Sequence, residues 1–242
     1  MVDEVFPEVP VRQWVCSFPW SLRTPLGYDR RLCAAAMGGF ARATERSTRW
    51  RAKKLLGLSS VDDTLFGVVT FVQRSDSALR LDPHAHTLAL DGVHVRDTGG
   101  ALVFHALPAP SAKDVHEVAE RTHARLAKVL AEHGRSMEAP DGEEAVLASC
   151  YAASTADVEL LGPRAGQRTA KLVRELREVP SSTGARAHAN VEGIDVHAEV
   201  ALDGRDRPRL ERLLRYVTRP PLATERLEEH DGGRVRYRFK KA

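Results

Sequence analysis

A chain of 242 residues, 43% hydrophobic and 29% charged, has the balance of a folded protein with one main core rather than a disordered one. No run approaches the roughly eighteen apolar residues of a membrane span, and the start Met1-Val2-Asp3-Glu4-Val5-Phe6-Pro7 lacks the basic and then apolar regions of a secretory signal. The expected location is therefore the cytoplasm, with no membrane partner. Net charge is only +3, yet basic residues cluster at 46–54, 164–177, 205–219 and 234–241, a distribution shared by nucleic-acid-binding surfaces and by ordinary solvated helix faces.

In chain order, 11–19 alternates briefly and predicts a short strand ending at Pro19. Residues 29–56 predict a helix rich in alanine, with Gly57 as its stop. A β-branched and aromatic run at 66–73 predicts a strand, and 74–77 a turn. The segments 84–90, 93–95 and 101–107, joined through Asp91-Gly92 and Gly99-Gly100, predict a β-meander. Ser111 is the expected N-cap of a helix over 112–133, with Gly134 as its stop.

Further on, a helix is predicted near 143–151, a Gly/Pro turn at 162–166, a loop at 181–189 and a strand at 194–202. A helix follows Asp203-Gly204 as far as Thr218, where Pro220-Pro221 ends it, and a closing strand covers 234–240. Strands and helices that do not strictly alternate predict an α+β fold with a mainly antiparallel sheet. Cys16, Cys33 and Cys150 are far apart, so neither a disulfide framework nor a cysteine zinc site is indicated.

Two positions carry chemistry. In Pro83-His84-Ala85-His86-Thr87-Leu88 the imidazoles sit at i and i+2, which a strand directs to one face, where they can share a divalent cation. The pair alone is equally compatible with two polar residues on a half-exposed strand. Gln73, His197 and Glu199 are the candidates for a third ligand. On the last helix, Leu210, Leu213, Leu214 and Val217 form an apolar stripe, and Tyr216 lies off it beside Arg209 and Arg212. A phenol among guanidinium groups suits a phosphate, although a tyrosine bordering a core has the same pattern. His116, His123 and His133 are expected at the surface of the long helix.

Several stretches, in order, resemble one known family. They are Val11-Arg12-Gln13-Trp14-Val15 with Phe18-Pro19, Val72-Gln73-Arg74, Pro83-His84-Ala85-His86-Thr87-Leu88 with Leu90-Asp91-Gly92-Val93, Leu161-Gly162-Pro163-Arg164-Ala165-Gly166, and Leu210-Glu211-Arg212-Leu213-Leu214-Arg215-Tyr216 with Arg219-Pro220-Pro221-Leu222. The chain resembles the rolling-circle insertion-sequence transposases with an HUH nuclease core, including the IS ninety-one-like elements and the insertion-sequence common regions.

The resemblance implies metal-dependent nicking and strand transfer of single-stranded DNA at element ends through a covalent phosphotyrosine. It makes His84 and His86 metal ligands and Tyr216 the nucleophile; of the three open candidates for the third ligand, Gln73, at the end of the strand before the histidines, is the one carried forward as an expectation. From their place in the sequence, Arg209, Arg212, Arg215 and Arg219, on or just past the tyrosine helix, and Arg164 and Arg168 in a basic loop are the expected DNA contacts, a plain turn being the alternative for the loop. The expected cofactor is a divalent ion, magnesium or manganese, and protein partners are not indicated.

Arg212 stands one helical turn before Tyr216, where two-tyrosine members have their other tyrosine, so the chain resembles the single-tyrosine branch. The expected organisation is an N-terminal strand and helical segment (1–60) and an HUH nuclease core with the tyrosine helix (61–242). The family's zinc-binding domain is expected to be absent and the C-terminus truncated. The alternatives to an active transposase are an inactive DNA-binding remnant and a related HUH replication initiator or relaxase.

Overall fold

The computed structural model describes residues 2–76, 80–137, 187–220, 222, 224–230 and 232–238. The helix predicted near 143–151, the turn at 162–166, Cys150, Arg164 and Arg168 lie outside the described residues.

The chain opens with α1 (Val2–Val5), β1 (Val11–Ser17), α2 (Arg23–Tyr28) and the long α3 (Arg30–Leu56). β2 (Thr64–Leu65), β3 (Val68–Ser75), β4 (Leu81–Leu90), β5 (Gly92–Arg96) and β6 (Leu102–Ala106) follow, and then α4 (Ala112–Glu132). After the undescribed segment come β7 (His188–Val191), β8 (Ile194–His197), β9 (Ala201–Leu202), α5 (Arg207–Val217), β10 (Leu227–His230) and β11 (Arg234–Tyr237). Every strand pair is antiparallel, so the fold is α+β with antiparallel sheets.

Helix boundaries follow local chemistry. Asp29 accepts hydrogen bonds from the backbone N–H groups of Arg31 and Leu32 and so starts α3, which ends at Gly57 in the left-handed conformation at φ 65°. Ser111 and Asp114 form a capping box at the start of α4, each side chain accepting from the other's backbone N–H. Val115, Val118, Ala119, Thr122, Leu126, Val129 and Leu130 are the buried face of α4. The larger apolar side chains among them each contribute roughly 1.5–3 kcal/mol on burial.

The main sheet runs β3-β4-β1-β8-β7, with β9 also paired to β1. Alternation along β1 and β4 divides its residues between two faces. Trp14, Cys16, Ala85 and Ala89 join Leu32, Met37, Phe40, Val118, Leu126 and Val129 in the large core beneath α3 and α4. Val11, Leu88 and Leu90, at one end of the opposite face, pack with Leu210, Leu214 and Val217 of α5. This face is thus capped by a helix at one end only. β1, from the first residues of the chain, sits between β4 and β8 at the centre of the sheet.

The buried Arg12 guanidinium joins neighbouring elements. It donates to both oxygens of Asp91, at 2.9 and 2.6 Å, and to the carbonyl of Ala198 at 2.8 Å.

Four sequence expectations are corrected. β4 and β5 do not continue one meander: β5 leaves the main sheet and pairs with β2 and β6 in a separate three-stranded sheet. A Cβ on Gly92 would stand 2.3 Å from the carbonyl oxygen of His105, so the close approach of these strands at the departure point requires glycine. The turn expected at 74–77 begins later, because β3 runs to Ser75. The loop expected through 189 gives way to β7 from His188, paired to β8. The strand expected over 194–202 is split into β8 and β9, both of which pair with β1. Among the described residues no helix is long and apolar enough to cross a membrane.

Candidate active site

The register of the main sheet assembles a polar patch on the face that α5 leaves open. Gln73 of β3 lies opposite His84 of β4, and Phe71 opposite His86. On the other side of β4, Ser17 faces His84 and Val15 faces His86, while Gln13 faces Leu88. Paired residues share a face and i, i+2 residues along a strand share it too, so Gln73, His84, His86 and Gln13 gather on one surface.

Hydrogen bonds fix how these side chains are presented. Nδ1 of His84 donates to the carbonyl of Asp82 at 2.6 Å, so in the neutral ring Nε2 carries a lone pair. That nitrogen faces Oε1 of Gln73 at 3.1 Å. The Gln73 amide is oriented by its own Nε2, which donates to the carbonyls of Tyr216 and Val217, each at 3.2 Å. In the neutral form of the ring, two acceptors are thereby aimed at each other.

The other imidazole is buried. The Gln13 amide stands 2.8 Å from Nδ1 of His86, and Nε2 of His86 is shielded from solvent with no hydrogen-bond partner. Burial, with a smaller contribution from neighbouring His84, holds the His86 pKa down at about 4, so the ring is neutral at physiological pH. The two rings are 5.0 Å apart between centroids.

The tyrosine helix meets this patch at its C-terminal end. The rings of Tyr216 and His86 are edge to face at 5.7 Å, while Tyr216 remains 57% exposed. A cavity of about 530 Å³ opens beside it, lined by Gln73, His84, Tyr216, Arg219, Arg226 and Tyr237 among others. The α5 periodicity explains the arrangement, because Leu210, Leu214 and Val217 dock the helix and leave Tyr216 at the edge of the buried stripe.

The structure brings His84, His86, Gln73, Tyr216 and Arg219 together. Arg209, Arg212 and Arg215 are exposed on α5 and do not line the cavity, and Arg215 pairs with Glu211 at 2.7 Å. Arg212 and Arg209, four and seven residues before Tyr216, continue its side of the helix. His197 turns instead toward Asp195 at 3.0 Å, on a strand separated from β4 by β1. His116 and His133 are exposed and His123 is partly so.

Sequence reading gave no role to Gln13, Arg226 or Tyr237 at this site. Gln13 carried a signal, being a polar residue at an alternating position within an apolar strand. Arg226 and Tyr237 carried none, because the β10–β11 hairpin that contributes them docks through tertiary structure.

An antiparallel sheet that sets the His84 imidazole, an amide oxygen, a phenol and a guanidinium around one cavity, with the His86 ring packed behind His84 and Tyr216, has groups able to hold a cation beside a phosphate. Residues 67–242 match the family model described as "Putative transposase", and the chain belongs to this transposase family, whose members are DNA-processing enzymes. No curated protein and no solved structure matches the chain.

Proposed function

We propose that the chain is a transposase of the HUH rolling-circle kind. It would nick single-stranded DNA at an element end and hold that end covalently on Tyr216. The observation that carries this reading is the convergence of Tyr216 with the His84, His86 and Gln73 group at one cavity.

The residues present fit a divalent cation. Nε2 of His84 and Oε1 of Gln73 face each other, and Nε2 of His86 is buried with no partner; a cation would satisfy the first two, and the third once the Gln13 amide turns its oxygen to accept from Nδ1. His84, His86 and Gln73 would hold it, with magnesium or manganese the expected ion. When bound, it would supply positive charge against a phosphate oxygen.

The chain's own residues do the rest. Gln73 ties the carbonyl end of the tyrosine helix to the histidine strand, keeping the phenol beside the site. Arg219 borders the same cavity and supplies a guanidinium for a phosphate oxygen. Tyr216 Oη forms a bond to phosphorus as the bond from phosphorus to the 3′ oxygen breaks. The phenolic proton passes to solvent and the departing oxygen becomes a 3′-hydroxyl. Strand transfer is the reverse attack by a 3′-hydroxyl on the phosphotyrosine.

The test is incubation of the purified chain with labelled single-stranded DNA carrying element ends and manganese or magnesium, followed by denaturing electrophoresis. A covalent adduct that disappears in Tyr216→Phe and in His84→Ala is expected. DNA binding without an adduct under either metal would overturn the nuclease reading in favour of a DNA-binding remnant.

A further inference from the structure

We propose that His188, Asp195 and His197 form a second divalent-cation site. It lies on the same open face of the sheet as His84 and His86 but is separate from them, and its two imidazoles suit a transition metal.

The site is built by a tight hairpin. Glu192 and Gly193, at the turn between β7 and β8, have φ values of 48° and 79°, the pair of left-handed residues that a two-residue hairpin turn requires. This fixes the register in which His188 lies opposite His197 and Asn190 opposite Asp195. Paired residues share a face, and Asp195 is two residues before His197, so both imidazoles and the carboxylate project together.

The side chains are already arranged as ligands. Nε2 of His188 is 2.5 Å from Oδ1 of Asp195, and Nε2 of His197 is 3.0 Å from Oδ2. The two rings are stacked, 4.2 Å apart and 18° from parallel. One ligand atom from each residue lies within 4.8 Å of the others. Bond lengths of roughly 2.0–2.2 Å from a metal to nitrogen or oxygen set ligand atoms about 3 Å apart, so modest side-chain movement completes the site.

A divalent ion held between the two rings would be partly neutralised by the Asp195 carboxylate. Two imidazole nitrogens and one carboxylate suit zinc, cobalt or iron.

The site is distinct from the first one. His197 is in register with Val15, and Val15 with His86, so two strand spacings, about 10 Å, separate the backbones of His197 and His86. A co-catalytic metal pair needs about 3.5–4 Å. The partly exposed second site therefore joins the two strands of the β7–β8 hairpin, with β7 as the end strand of the main sheet order. Cation binding here does not depend on the DNA-cleaving reading.

The test is titration of the full, metal-stripped chain with cobalt(II) alone, followed by equilibrium dialysis and visible absorption. In a His84→Ala/His86→Ala background one bound cobalt is expected to remain, and adding His188→Ala/His197→Ala is expected to abolish it. Asp195→Asn, a nearly isosteric change, is expected to weaken that cobalt at least about tenfold, since even residues behind the ligands commonly contribute that much. Far-ultraviolet circular dichroism establishes that each variant is folded. A folded His84→Ala/His86→Ala chain that binds no cobalt would overturn the proposal, as would bound cobalt indifferent to the His188, His197 and Asp195 changes. The covalent-adduct assay reads the first site, so failure of one reading leaves the other standing.

Discussion

Gln73 joins the histidine strand to the tyrosine helix: its Oε1 faces Nε2 of His84 at 3.1 Å, and its Nε2 donates to the backbone carbonyl of Tyr216 at 3.2 Å. A single amide orientation meets both demands, because only the nitrogen can satisfy the helix carbonyls.

That dual role separates two substitutions. Gln73→Ala removes the oxygen and both helix bonds, so cation affinity and covalent-adduct yield are expected to fall together. Gln73→Glu keeps an oxygen toward His84 but loses both N–H donors and sets a negative charge against the carbonyl end of α5, an unfavourable position for an anion. Cation binding is expected to persist in Gln73→Glu while adduct yield drops. Parallel cation titrations and adduct gels on both variants check this, and an unchanged adduct yield in Gln73→Glu would contradict it.

His86 makes the metal-free chain sensitive to acid. Its pKa in the folded chain is held at about 4 against 6.5 in the unfolded chain, so below 6.5 the unfolded chain takes up the proton first. Stability is therefore expected to decline as pH falls from 6.5 toward 4 and to level off below that. The contribution is about 3 kcal/mol, from 1.36 kcal/mol per pKa unit. Urea denaturation across this range in EDTA measures it, and His86→Gln should remove this part of the slope.

The Arg12–Asp91 pair is a buried ion pair with both carboxylate oxygens engaged and side chains only 7% and 12% exposed. Asp91→Ala leaves a buried guanidinium without its partner and is expected to destabilise the fold by about 3–5 kcal/mol. Arg12→Met/Asp91→Leu removes both charges and is expected to cost less than Asp91→Ala alone. Denaturant midpoints of the two variants give the comparison, and equal losses would mean that the pair acts through packing alone.

Cys16 is buried within the sheet, and burial, reinforced by the nearby negative charge of Asp195, pushes its thiol well above the ordinary range. A thiol that is neither ionised nor accessible is a poor nucleophile. Peptide-resolved alkylation is expected to leave Cys16 unmodified in the native chain and to modify it fully in urea. Rapid native labelling would show that the centre of the sheet opens.

The sequence by itself determined the elements whose signal is local. The α3 and α4 boundaries were legible from Asp29, Gly57, Ser111 and Gly134, because caps act within one turn of the chain. The common face of His84 and His86 followed from the period of a strand, and the docking stripe of α5 from the spacing of Leu210, Leu214 and Val217.

Only the tertiary structure decided what those elements meet. Gln73 was one of three open candidates beside His84 until the β3–β4 register paired them, and register depends on contacts that no single strand encodes. The departure of β5 into a second sheet was hidden because alternation looks the same whichever neighbour a strand has. The contact of Tyr216 with His86 spans 130 positions of sequence, and the stacking of His188 on His197 required a strand where the sequence suggested a loop. Hydrophobic periodicity reports which side of an element is buried; the choice of partner comes from packing among distant segments, and that packing assembled the candidate site.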